Sequence, residues 1–308
     1  MGEGSRGIQK GWGDLGAGED TKLSPGSGHG AMAPKRTARR ANNLDGKTWT
    51  RYSISIWNDI RKTAEELRLG HPAMFPAQLP ARLIECFATD EDRVILDPFV
   101  GTGSTVVAAK KLGRVGIGLD VSASFVETAL LRLGQADMFS DADQQSRILV
   151  ADARNLLDCV SPESVDMVIT SPPYWNILTE KRTADYRDIR HYGDMPEDLG
   201  KIADYREFLA ALQGIFRLVY SVMKPSKYCV VVVMDIRKRD KFYPYHSDVA
   251  ALMQQIGFMY DDLIIWDRRQ EYNNMRPLGF PARFRINKAH EFILIFQKPP
   301  SARTPETC

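Results

Sequence analysis

The chain predicts an α/β fold, a mostly parallel sheet covered by helices on both faces. Short apolar runs such as "RVILDPF", "RVGIGLD" and "VDMVIT" alternate with segments of helical period such as "GSTVVAAKKL" and "YREFLAALQGIFRLVYSVM". Those helical segments are long enough to serve as crossovers between parallel strands. Several runs end on an acid or run into a glycine turn, at the strand ends where an open α/β sheet takes its ligands.

Taken in order, residues 1–46 are rich in Gly, Ser and Ala, include the basic stretch "PKRTARR" and show no apolar period, so a disordered arm or leader is expected there. Residues 47–308 are expected to form a single domain. It opens with "TWTRYSISIW", whose alternation suggests a strand or extended lead-in, and a polar helix through "DIRKTAEELRL". "GHPAMFPAQLPARLIECF" reads as a turn feeding a helix with Leu79, Leu83, Ile84 and Phe87 on one face. Strand and helix then alternate through "RVILDPF", "GSTVVAAKKL", "RVGIGLD", "ASFVETALLRL", "SRILVAD", "VDMVIT", the long helix from Tyr205, and "YCVVVVMDI". A helix around "SDVAALMQQIG" precedes "DDLIIWDR" and "HEFILIFQK", an antiparallel closing pair. Trp57 and Trp266 read as packing residues.

Composition limits the function classes. The chain has 308 residues, 44% of them hydrophobic, enough for a sizeable core. No apolar run approaches the roughly eighteen residues of a membrane span, and the N-terminus has no apolar signal core. Cys86, Cys159, Cys229 and Cys308 form no CxxC pair, so no metal site or disulfide framework is expected, and a reducing cytoplasm is the natural setting. A net charge of +2 leaves any nucleic-acid argument to local clusters.

The first chemical signal is "DPFVGTGSTVVAA", where a strand turns into a helix. Gly101 and Gly103 allow a sharp bend and close approach of a ligand, although a lone GxG equally describes a tight turn. Val106 occupies the place where a dinucleotide fingerprint needs a small residue, which weakens a nicotinamide reading. The next strand ends on Asp120, about twenty positions after the glycine turn, where a carboxylate can accept both ribose hydroxyls of an adenosine. A third ends on Asp152. Each acid alone is equally a solvated turn residue or a helix cap; three such signals at successive strand ends point to a ligand site.

"HPAMFP", "DPFVGTGST" and "SPPY" together resemble the amino-methylating DNA methyltransferases, which use S-adenosylmethionine to modify the exocyclic amine of cytosine or adenine; the similarity extends over roughly residues 50–298. The resemblance implies the class I S-adenosylmethionine methyltransferase fold, a Rossmann-like seven-stranded sheet with one reversed strand. It places the cofactor motif on Asp97, Pro98, Phe99, Gly101 and Gly103, running on through Ser104 and Thr105. Asp120 then takes the ribose-binding role, Asp152 the adenine-contacting role, and Phe75 a place near the methionine end of the cofactor. In members with a "DPFxGxGST" motif the catalytic motif often comes first; here it follows, which leaves the place of the target-recognition segment open. A cognate restriction nuclease would be a natural partner.

The "TSPPYWN" stretch ends an apolar strand on prolines that lack N–H groups and hold the backbone stiff. An exocyclic amine is a poor nucleophile because its lone pair is delocalised into the ring. Ser171 and the Pro172 carbonyl, held by Pro172 and Pro173, can accept its hydrogens and favour a pyramidal nitrogen, with neither a metal nor a covalent intermediate. Tyr174 offers a face for an extruded base. Serine at the head of the tetrad leans toward cytosine N4, since in the family Asp or Asn is usual there for adenine; adenine N6 is the alternative.

Contact with double-stranded DNA is expected near 267–290, where between Arg268 and Lys288 the cations Arg268, Arg269, Arg276, Arg283, Arg285 and Lys288 stand against the single acid Glu271, interleaved with Tyr272, Phe280 and Phe284. Gln270, Asn273 and Asn274 suit base edges. A second insert near 175–204, containing His191, is placed to close over a flipped base. An RNA methyltransferase and a non-catalytic cofactor-binding protein are the other classes, the latter opposed by the intact acids and "SPPY".

Overall fold

The computed structural model describes residues 40–69, 74–137, 146–176, 198–271 and 277–301, all within the compact unit Arg40–Cys308. Of the expected arm, residues 1–39 lie outside the described residues. Residues 40–46 are anchored, the Asn42 amide donating to the Cys86 carbonyl at 2.8 Å.

The strands are β1 (Ile56–Trp57), β2 (Val94–Asp97), β3 (Val115–Asp120), β4 (Arg147–Val150), β5 (Val165–Thr170), β6 (Met223–Val233), β7 (Ile236–Lys238), β8 (Lys241–Tyr243), β9 (Met259–Asp267) and β10 (His290–Gln297). The helices are α1 (Gly46–Tyr52), α2 (Ala64–Arg68), α3 (Gln78–Phe87), α4 (Ser104–Lys111), α5 (Ala123–Asp137), α6 (Leu156–Cys159), α7 (Tyr205–Val222) and α8 (Tyr245–Ile256). The main sheet runs β1-β9-β10-β6-β5-β2-β3-β4. Every pairing is parallel except those of β10 with β6 and β9, so β10 is the one reversed strand. The sheet has eight strands where the resemblance implied seven. The addition is β1, where Ile56 and Trp57 pair with Ile265 and Trp266 at the edge and the buried Trp57 ring joins the core beside Trp266.

Strand alternation divides that core into two layers. Ile95, Met167, Ile169, Val230 and Val232 meet Leu79, Leu83 and Ile84 of α3 on one face. Leu96, Val168, Val231 and Val233 meet Phe208, Leu212, Ile215 and Phe216 of α7 and Val249 of α8 on the other. Helix α4 and the turn before it lie so close to β3 that a Cβ at Gly116 would come 2.7 Å from Val106 and one at Gly118 2.6 Å from Val100. Gly116 thus seats the helix and Gly118 the glycine turn.

Three elements differ from expectation. "TWTRYSI" opens as helix α1, because Asp45 caps it by accepting from Lys47 N and Thr48 N. The polar helix is only α2, started at Thr63 by a capping box with Glu66. The β7–β8 hairpin has no counterpart in the sequence pattern, since "IRKRDKFY" is too charged to show a strand period.

Candidate active site

The carboxyl ends of β2, β3, β4 and β5 open onto one cleft holding about 850 Å³ of empty space, part of it open to solvent. Into it face Phe75 ahead of α3, Pro98, Phe99, Gly101 and Ser104 of the β2–α4 turn, Asp120, Asp152, and Ser171, Pro172, Pro173 and Tyr174. Signals that lie up to a hundred residues apart in the chain thus line one cleft.

Asp97, Gly103 and Thr105, expected as cofactor contacts, stand behind this lining. Asp97 is 1% exposed and accepts from Thr105 Oγ1 at 2.7 Å, Thr170 Oγ1 at 2.6 Å and Phe99 N at 3.1 Å. Burial pushes its carboxyl up to about 6, against the lowering effect of the two threonine hydroxyls. It ties the glycine turn to the end of β5, so that the two loops hold a fixed separation. Gly103 starts α4 with φ +88°, and a Cβ there would come 2.9 Å from Ala129 Cβ. Both residues shape the turn from beneath; a larger side chain or a lost carboxylate would move it.

Asp120 accepts from Gly101 N through Oδ2 and from Ser122 N through Oδ1, each at 2.9 Å. Burial raises its carboxyl above the ordinary range despite those two donors. Asp152 accepts from Arg154 N and Nε at 2.9 and 2.8 Å. It therefore caps a short 3-10 turn while also facing the cleft. Sequence reasoning missed Asp198, which joins the lining, accepts from Gly200 N at 2.7 Å and is likewise raised by burial. "EDLG" reads as ordinary polar linker, and no spacing rule connects it to the strand ends.

The Ser171–Tyr174 loop is clamped at successive residues. Tyr245 OH donates to the Pro173 carbonyl at 3.0 Å. Trp175, held at φ +49°, donates through Nε1 to the Ile202 carbonyl at 2.8 Å and packs edge-on against Tyr205 and Tyr243. Lys238 Nζ lies 4.2 Å from the Trp175 ring centroid and donates to Asn176 Oδ1 at 2.8 Å. Tyr174 OH reaches Glu291 Oε2 at 3.2 Å and stands 3.5 Å from Ser171 Oγ. A left-handed tryptophan is costly backbone, and the surrounding aromatic cluster holds it there.

The cations of the 267–290 segment meet more acids than Glu271, some beside them in the chain and some from elsewhere. Arg268 pairs with Glu291 and Glu271, the latter at 2.6 Å, and lies over the Trp266 ring. Arg269 pairs with Asp267 at 2.6 Å. Arg283 at 3.0 Å and Arg285 share Asp240. Lys288 donates to the Asp235 carbonyl at 2.9 Å and sits over Phe242; burial brings its ammonium down to about 8. Phe280 and Phe284 project into solvent, Phe284 being 92% exposed. Arg276, Tyr272, Asn273 and Asn274 lie outside the described residues, as do residues 177–197 of the other insert with His191. Among the described residues no group of three or more His, Cys, Asp or Glu is placed to hold a metal ion, and no helix is long and apolar enough to cross a membrane.

The profile of a DNA methylase family, N6/N4 methyltransferases, matches residues 29–131 and 165–306. The chain is 30% identical over 119 residues to the type II methyltransferase M.HpaI of Haemophilus parainfluenzae, covering 37% of this chain and 35% of that one. It is 27% identical over 112 residues to the tRNA (guanine(10)-N2)-dimethyltransferase of Methanocaldococcus jannaschii, covering 36% and 32%. Each match spans about a third of the relative's length. A DNA modification methylase of Thermus thermophilus, solved with S-adenosyl-L-methionine, is 28% identical over 51% of this chain and 57% of its own, with a TM-score of 0.35, an overlap too small to bear on the fold.

Proposed function

The chain belongs to the N6/N4 DNA methylase family, and from that premise we propose that it methylates the exocyclic N4 amine of a cytosine extruded from duplex DNA, using S-adenosylmethionine. One observation carries the reading: the glycine-turn wall with Asp120 and the Ser171–Tyr174 wall line the same cleft, so a methyl donor and an amine can share it.

The donor set fits the cofactor. Each Asp120 oxygen takes one backbone N–H, leaving acceptor capacity on both for a ribose diol. Asp152 can accept from an adenine amine, and Phe75, Pro98 and Phe99 offer apolar surface. When bound, S-adenosylmethionine supplies an electrophilic methyl group on a sulfonium. The protein's part is positioning. Ser171 Oγ and the Pro172 carbonyl accept the amine hydrogens and localise the nitrogen lone pair, and the clamps on Pro173, Trp175 and Asn176 keep those acceptors from relaxing. Tyr174 is largely buried, so it would meet the base with the part of its ring that faces the cleft.

Cytosine is favoured by serine at position 171, because in the family Asp or Asn usually heads the tetrad for adenine. Adenine N6 is the second reading, because the same loop serves either amine. A cytoplasmic, DNA-associated setting and a cognate nuclease would accompany a restriction-modification role. Nucleoside mass spectrometry of treated DNA tests the assignment: N4-methylcytosine is expected, N6-methyladenine alone would move the target, and label entering only RNA would move the substrate class. Ser171→Ala should lower turnover about a hundredfold or more while S-adenosylmethionine still binds, as read by calorimetry.

A further inference from the structure

The geometry points to Glu291 as a positioning residue that sets the direction of the hydrogen bonds reaching Ser171. Four groups form a line from the interior to the cleft. Arg268 pairs with Glu291 Oε1, Tyr174 OH stands 3.2 Å from Glu291 Oε2, and Ser171 Oγ stands 3.5 Å from Tyr174 OH. Glu291 is buried, with the Arg268 guanidinium against its Oε1.

An ionised carboxylate only accepts hydrogen bonds, and an arginine only donates them. With Arg268 on one oxygen, the other must receive the Tyr174 proton. The Tyr174 oxygen is then left with lone pairs alone on the side of Ser171, so the Ser171 hydroxyl donates toward it. Ser171 thereby shows lone pairs to the cleft, the polarity an exocyclic N–H requires. The Ser171–Tyr174 contact is long for a hydrogen bond, as such contacts often are before substrate binds. No proton is transferred along the line; Glu291 fixes its sense. This rests on the proposed amine methylation and adds a residue remote from "SPPY", 117 positions along the chain from Tyr174.

Glu291→Gln tests the sense of the line because it keeps shape and removes charge. Arg268 still needs an acceptor, so the amide oxygen turns to it and the NH2 turns to Tyr174, reversing each bond beyond. Ser171 would then aim its hydrogen at the amine. With long unmethylated duplex DNA and tritium-labelled S-adenosylmethionine, Glu291→Gln should lower the single-turnover rate about tenfold or more, with S-adenosylmethionine affinity held within about twofold. Tyr174→Phe, which cuts the line, should lower it less, and the double variant should match Tyr174→Phe. Additive losses, or a Tyr174→Phe rate equal to the parent's, would overturn the role of Glu291 while leaving the methyltransferase reading intact. The second outcome decides even if Glu291→Gln does not fold. A parent inactive on DNA and on total RNA would instead overturn the function itself, and the relay with it.

Discussion

Asp120 is bonded to residues two and nineteen positions away and Asp152 to one two positions away, whereas Arg283 and Arg285 reach Asp240 across 43 and 45 positions and Lys288 reaches Asp235 across 53. The two regions are therefore built differently. On the sheet edge, backbone donors hold each acid, Asp120 bridging its own turn and the glycine turn after β2 and Asp152 its own turn. In the 267–290 segment, Arg283 and Arg285 cross to the distant Asp240, Arg268 and Arg269 pair with the nearby Glu271 and Asp267, and Lys288 donates to a backbone carbonyl. A charge cluster read along the chain overstates what is available for phosphate when its partners lie elsewhere in space.

If Arg268 belongs to the interior and not to the DNA surface, its removal should cost stability first. Arg268→Ala leaves the buried Glu291 without its cation, and about 3–5 kcal/mol of unfolding free energy should be lost in urea denaturation. Parental stability with a weakened salt dependence of DNA binding would return Arg268 to the phosphate-binding set and break the contrast.

Asp97 tests the other side. Its carboxyl lies at about 6 in the folded protein against an ordinary 3.8, a difference of about 3 kcal/mol. A carboxyl raised on folding contributes stability that is fully present below its unfolded value and lost as pH rises through the folded one. Unfolding free energy should therefore carry a falling component between pH 4 and 6 that Asp97→Asn removes. An unchanged pH profile would mean that the threonine donors outweigh burial and hold Asp97 ionised.

Asp120→Ala should weaken S-adenosylmethionine binding about tenfold to a hundredfold in calorimetry, with the fold kept, because the carboxylate is disfavoured by burial. Equal affinity would detach the acid from the cofactor and leave Asp198 as the carboxylate to test next.

The alternation of strands and helices, the glycine turn and the "SPPY" loop were legible because each is a local pattern imposed by backbone geometry: prolines stop β5, Gly103 takes a positive φ, and the strand periods sort two core layers. Roles within the motif were less legible. Asp97 and Gly101 lie four residues apart, yet one sits under the cleft and the other in its wall, a difference set by the pleat of β2 and by Thr170 reaching across from β5. Asp198 and Glu291 carried no signal at all. Asp198 takes its place by closing the turn that starts at Leu199, accepting from Gly200 N, and Glu291 takes its place through the reversal of β10.

The smallest expected effect is at Arg283, 63% exposed in its side chain, which shares Asp240 with Arg285. Two guanidinium groups against one carboxylate leave a net positive charge of one, so this corner should hold about one phosphate. Arg283→Ala would neutralise it, and the slope of log affinity against log salt should fall in magnitude by about 0.9 on mixed-sequence duplex DNA. Removing Asp240 together with Arg283 frees Arg285 and restores the net charge, so the slope should return toward the parent's. A slope that stays low in Arg283→Ala/Asp240→Ala would mean that geometry, and not charge, makes Arg283 the contact. No change in either variant would place the DNA on another face and reduce the contrast between the two regions to one of packing alone.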